Sequence, residues 1–140
     1  MSTSQHWIGS IAGYNPGMVS QLRFAELLEG HVVKKVKAKM LHEQLTSELL
    51  HAIRQLVKET ITDVFEKSRF KLDKKSLVWL SDQYFKSLTL NGSSMGDHVI
   101  IHEYNLSELP YLDLQLLFNL FGETTFSGPL KEEWHRRTQS

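Results

Sequence analysis

The longest uninterrupted pattern of apolar and polar positions runs from His31 to Phe70, a stretch without glycine or proline. Met40, Leu41, Leu45, Leu49, Ala52, Ile53, Leu56 and Val57 recur at three- and four-residue steps. Leu50, Ile53, Val57, Ile61, Val64 and Phe65 continue along a neighbouring line. Such steps put side chains on one helix face, because the helix turns once per about 3.6 residues. The stripe is broad, which predicts cover on more than one side. Gln44, Ser47, Arg54, Lys58 and Asp63 fall opposite it. From Leu41 to Ser68 the pattern predicts roughly 42 Å of helix, more than the ~30 Å width of a small domain. Such a helix has to protrude, bend or meet a second copy. The β-branched run at Thr60, Ile61, Thr62 and Val64 is the expected place for a bend or break. Between His31 and Met40 the lysines alternate with Val36, Ala38 and Met40, as in a strand. Val32, Val33, Val36 and Met40 also fit helical spacing, and the lack of a turn signal after them favours helix.

The flanking segments read as elements that enter or leave this helix. Residues 1–17 form an irregular arm with Trp7, Ile8, Ile11 and Tyr14 interleaved. Asn15-Pro16-Gly17 is a turn that opens a short amphipathic helix with Val19, Leu22, Phe24, Ala25, Leu27 and Leu28, and Gly30 is its natural stop. That helix is expected to fold back on the long one. Asp73 is a candidate N-cap for a third helix to about Leu88, with Leu77, Val78, Leu80, Tyr84 and Phe85 apolar and Trp79 adding a large surface. Asn91 to Asp97 is a loop by composition. Thr89 and Leu90 are expected to pair with the β-rich run Val99, Ile100 and Ile101. Asn105 or Ser107 can cap a fourth helix with Pro110 in its first turn and Gly122 as its end. That helix is very apolar: Leu112, Leu114, Leu116, Leu117, Leu120 and Phe121. The tail carries Phe126, Leu130 and Trp134 before a polar end, and no element is assigned to it. The expected fold is therefore mainly α, a helical bundle built around one long helix at about 31–68, with a small β-hairpin near 89–104. Residues 18–140 are expected to form a single helical domain behind the arm.

Composition narrows the class without naming a function. The 140 residues suit one domain with a real core, and the formal net charge is zero. There is no cysteine, which excludes disulfides, thiolate metal sites and cysteine nucleophiles. The first residues lack a basic segment followed by an apolar core, so no signal peptide is expected. No apolar run reaches the ~18 residues of a membrane span. The expectation is a soluble, cytoplasmic protein without a membrane partner, or one of a host cytoplasm or virion were the chain viral. Charge is uneven all the same. Lys34, Lys35, Lys37 and Lys39 stand with His31 and His42 in a stretch without an acid, whereas Ser87 to Leu130 contains no lysine or arginine and holds Asp97, Glu103, Glu108, Asp113 and Glu123. Two solvated faces account for this, and complementary docking within the chain or between copies is the sharper reading.

Chemical motifs are weak. Gly92-Ser93-Ser94-Met95-Gly96 matches the G-x-S-x-G elbow of serine hydrolases, with Asp97 or Asp113 and His102 or His135 downstream. A helix precedes it and a strand follows, the reverse of that context, so it reads as a polar loop. Glu48 with His51 and Glu132 with His135 have the Glu-x-x-His spacing of carboxylate-bridged metal bundles. The two further inward glutamates such a site needs are not evident; Glu26 or Glu29 would supply at most one. His42-Glu43 lacks the second zincin histidine. Seven histidines invite a pH switch, for which the sequence gives no burial. No cofactor is expected.

The leading expectation is a non-enzymatic protein–protein interaction, assembly or regulatory protein, a viral or bacterial accessory component in type, that self-associates or holds a protein partner through apolar helices. Its candidate contact residues are Leu112, Leu116, Leu117, Leu120, Phe121 and Trp79. The alternative is nucleic-acid binding by the cluster Lys34, Lys35, Lys37 and Lys39. A small metal-binding or hydrolytic enzyme is a remote third.

Overall fold

Thr46 divides the stretch that the apolar pattern joins. Its backbone is extended, with φ −113°, and its hydroxyl accepts from the Leu49 N–H at 3.0 Å, so a helix starts afresh at Ser47. The computed structural model describes residues 21–40, 44–90, 92–95, 105–122 and 127–139. Among these, five α-helices carry the fold: α1 (Gln21–Lys39), α2 (Ser47–Lys67), α3 (Lys74–Ser87), α4 (Tyr111–Phe121) and α5 (Ser127–Thr138). The single long helix at 31–68 is thus corrected to two helices packed as a hairpin. The reversal lies after Met40 and not at Gly30, which α1 passes through. Gly30 is exposed, and mid-helix glycine costs only about 1 kcal/mol. Helix is also the outcome for residues 31–39, where the pattern left strand open.

The hairpin answers the cover problem that a 42 Å helix would have had. Phe24, Leu28, Val32 and Val36 form the buried face of α1, and Leu49, Ile53, Val57, Ile61 and Val64 that of α2. The rings of Phe24 and Phe65 meet edge to face at 5.9 Å, so the start of α1 lies against the end of α2 and the pair is antiparallel. The helix does not break at the β-branched run. Ile61 and Val64 are buried, and the buried Thr60 hydroxyl donates to the Leu56 carbonyl at 2.8 Å.

α3 forms where Asp73 predicts it. The Asp73 carboxylate accepts from the Lys75 N–H at 3.2 Å. A second carboxylate reaches the same helix start: Asp113 of α4 accepts from the Asp73 N–H and from the Ser76 hydroxyl, both at 2.7 Å. Negative charge at a helix N-terminus is favourable, so this buried acid both caps α3 and fixes α4 against it. Asn105 does not cap α4 as expected. It caps a short 3-10 turn at Leu106–Glu108, and α4 begins after Pro110. Gly122 ends α4, and a Cβ there would stand 2.6 Å from the Phe118 carbonyl oxygen.

The β-hairpin expected near 89–104, with 99–101 as its second strand, is not shown by the described residues. Thr89–Leu90 (β1) pairs antiparallel with Ser93–Ser94 (β2) in a two-residue ladder, and Gly92 takes the φ of 80° that the reversal needs. Val99, Ile100 and Ile101 lie outside the described residues, as does the 1–17 arm. α5 is an element to which the sequence pattern assigned nothing. Leu130 is its buried anchor, and the nearly buried Glu133 accepts hydrogen bonds from Arg136 and from Arg137, the latter at 2.7 Å. Arg137 also donates to the Leu106 carbonyl at 2.7 Å, tying α5 to the 3-10 turn. The Arg136 bond, then that of Arg137, holds the Glu133 carboxyl below its ordinary range against the opposing effect of desolvation. The described helices share one hydrophobic core, and no described helix is long and apolar enough to cross a membrane.

The α2–α3 contact contains the most demanding polar pair. Asp82 is 2% exposed and receives both Nε and Nη2 of Arg54, at 2.9 and 2.8 Å. Breaking one side of such a pair leaves a buried charge uncompensated. Arg54→Leu should therefore cost about 2–4 kcal/mol in urea denaturation, and Arg54→Leu with Asp82→Leu should recover at least half of that.

Candidate functional site

The chain leaves α2 in an unusual way. Ser68 is the last helical-like residue, Arg69 takes φ 63°, and the Arg69 N–H donates to the Glu66 carbonyl at 3.1 Å. The Phe70 N–H donates to the Phe65 carbonyl at 2.9 Å. These two bonds are the paired closure of a Schellman helix end, and the Phe65–Phe70 ring contact at 5.7 Å is its accompanying apolar contact. Glycine is the usual occupant of the left-handed position, because it has no Cβ to clash. Here the position is arginine. Among the described residues it is the one non-glycine with positive φ.

The turn opens on a cleft of about 620 Å³ lined by Thr62, Phe65, Glu66, Arg69, Phe70, Lys71, Leu72 and Leu77. Its floor is aromatic and aliphatic, with Phe65 fully buried and Phe70, Leu72 and Leu77 half-buried. Arg69 and Lys71 are exposed at its rim. Neither has an ion-pair partner among the described residues; the nearby ion pairs join Lys67 to Asp63 and Lys75 to Glu108. Sequence reasoning did not find this site. An arginine after a helix gives no sign of its φ, and the floor residues read as ordinary core.

The six apolar contact candidates do not act as one surface. Leu117, Leu120, Phe121 and Trp79 are buried in the protein's own core. Leu116 is half-buried against it. Leu112 alone faces solvent, at 73% exposure, and its neighbour Tyr111 follows at 47%; they are the large exposed apolar side chains among the described residues. Beside them Tyr111 stacks on Trp134 of α5 at 5.5 Å, and Trp134 stacks on Phe118 at 5.1 Å with the rings nearly parallel. An aromatic strip therefore runs along the α4–α5 edge, ending at Leu112.

Lys34, Lys35, Lys37 and Lys39 are all exposed on α1. With Glu26, Leu27, Gly30, His31 and Ala38, the first two line a shallow groove of about 480 Å³. Burial, then the charge of Lys35, pushes the His31 imidazole below its ordinary pKa. A smaller polar cleft of about 210 Å³ lies between α2 and α3, lined by His51, Arg54, Gln55, Lys58, Val78, Ser81 and Asp82.

The motif residues stay apart. Ser94 is in the two-residue ladder, Asp113 is engaged at the start of α3, and His135 is exposed, 3.2 Å from the Gln139 amide. Asp97 and His102 lie outside the described residues. Glu48, His51, Glu132 and His135 are exposed, and no group of three or more His, Asp or Glu able to hold a metal ion occurs among the described residues.

The left-handed Arg69 has a measurable consequence. Arg69→Gly should raise stability by about 0.5–1 kcal/mol in urea denaturation, because the relief of strain outweighs the added flexibility of the unfolded chain. Comparison with known proteins returns no matching family model, no matching curated protein and no matching solved structure.

Proposed function

We propose that this chain is a non-enzymatic interaction protein that assembles with a second copy of itself along the α4–α5 edge. The observation that carries the reading is the exposure of Leu112 and Tyr111 side by side at the start of α4, continuous with the stacked Trp134 and Phe118. Single exposed apolar residues are ordinary, but an exposed pair that extends an aromatic strip is the makeup of an interface core. A second copy suits this edge because the strip is self-complementary. In a twofold pairing each copy presents the same strip to the other, so Tyr111, Leu112 and Trp134 of one chain cover those of its mate. The narrower contact set is Tyr111, Leu112, Leu116, Phe118 and Trp134. Leu117, Leu120, Phe121 and Trp79 serve the fold instead.

Nucleic-acid binding is the second reading, favoured by the exposure of all four α1 lysines. Each phosphate contact releases counterions, so such binding weakens steeply with salt. Charge reversal at Lys34, Lys35 and Lys37 would abolish a low-salt gel shift; no shift by the parent protein ends this reading.

Light scattering on protein freed of nucleic acid is the test of assembly. The expected result is a dimer or larger species at low and high salt. Leu112→Asp should yield a monomer with unchanged helical circular dichroism, because its side chain is outside the core. A wild-type monomer at high protein concentration would overturn the reading.

A further inference from the structure

We propose that the cleft under Arg69 and Lys71 binds a small amphiphilic carboxylate, an alkyl or aryl chain ending in one anionic head. The floor is built for the tail. Phe65, Phe70, Leu72 and Leu77 give it an apolar lining, and about 620 Å³ falls within the range of roughly 300–1,000 Å³ typical of small-molecule pockets. The rim is built for the head. Arg69 and Lys71 have no ion-pair partner among the described residues, and the guanidinium fork matches a carboxylate in two hydrogen bonds. Glu66 also lines the cleft, so two cations face one acid and the rim stays positive by a single charge. That balance suits a monoanion and disfavours an apolar cation.

The backbone supplies the third argument. The turn after α2 requires positive φ at residue 69, which glycine accepts without strain. Arginine keeps a cation at the cleft mouth at the expense of backbone strain, and strain of this kind gathers at ligand sites. One turn does both jobs: the bonds that hold Arg69 at the rim also seat Phe70 against Phe65 in the floor. None of these residues belongs to the α4–α5 strip, so the site does not rest on the assembly reading.

Titration calorimetry on the full chain at low ionic strength compares decanoate with two controls: acetate, which lacks the tail, and decyltrimethylammonium, which reverses the head. Decanoate should bind at one per chain, with both controls at least about tenfold weaker. Arg69→Gly combined with Lys71→Ser should weaken decanoate at least about tenfold while the melting temperature of the free chain holds or rises, which separates lost binding from unfolding. Absence of decanoate binding, equal binding of decyltrimethylammonium, or an unchanged Kd in the double variant would each overturn the proposal.

Discussion

The fold turns on the meeting of Phe24, Phe65 and Phe121. They come from α1, α2 and α4, with centroid separations of 5.9, 6.4 and 6.4 Å, and Tyr84 of α3 closes on Phe121 at 6.2 Å. Phe24 is near the start of α1 and Phe65 near the end of α2, so their contact demands that the chain reverse between them. The reversal follows Met40, and the Thr46 hydroxyl caps the helix that restarts after it. Each aromatic pair adds about 0.5–1.5 kcal/mol beyond its area, against a total stability of about 5–15 kcal/mol for a domain. The cluster therefore decides between alternative packings as well as adding to their depth. Its one polar member is satisfied: the Tyr84 hydroxyl donates to the Ala25 carbonyl at 3.4 Å, and burial pushes its ionisation well above the ordinary tyrosine value.

Around that cluster, three carboxylates fix elements that apolar packing alone would leave free to slide. Asp82 sets the register of α3 on α2 through Arg54, Asp113 joins α4 to the start of α3, and Glu133 positions α5 through Arg137, which reaches back to Leu106. Apolar contacts are non-directional, whereas these bonds are satisfied in one arrangement only. The three differ in what their loss would leave behind. Asp82 and Asp113 are buried acids whose partners cannot be replaced by water without opening a helix pair. Glu133 is covered mainly by the two arginines on its own helix, so it orders α5 more than it binds α5 to the body.

Much of this architecture was legible from pattern. α3 follows from Asp73 and the spacing of Leu77, Leu80, Tyr84 and Phe85, and α4 from its leucines and Gly122. The break before Thr46 was not legible, because the hydroxyl that makes it looks like any threonine in a run of helical spacing. Gly30 misled in the other direction, since a glycine with nothing near its Cβ position is tolerated within a helix that packing holds. α5 was obscured by its polar composition, which supplies few apolar positions to count. For the sites, periodicity reports that Leu117, Leu120, Phe121 and Trp79 need cover but not whose cover they receive. Leu112 shares the segment and the residue type with Leu117, and only the helix phase relative to α1 and α5 separates an exposed leucine from a core one.

Arg69 carries the remaining step. A left-handed non-glycine residue is retained only where its surroundings hold it, and here two backbone bonds and the Phe65–Phe70 contact do so. The strain, on the order of 1–2 kcal/mol, is a noticeable fraction of a domain's stability. A glycine would remove it without disturbing any of those contacts, because the carbonyls and rings that close the turn belong to other residues. The fold therefore gives no reason for an arginine at this position. What arginine adds is a cation at the mouth of an apolar cleft, and Lys71, two residues on, adds a second at the same rim. A side chain that strains its own backbone yet joins no described ion pair is better accounted for by what it faces than by what it holds together.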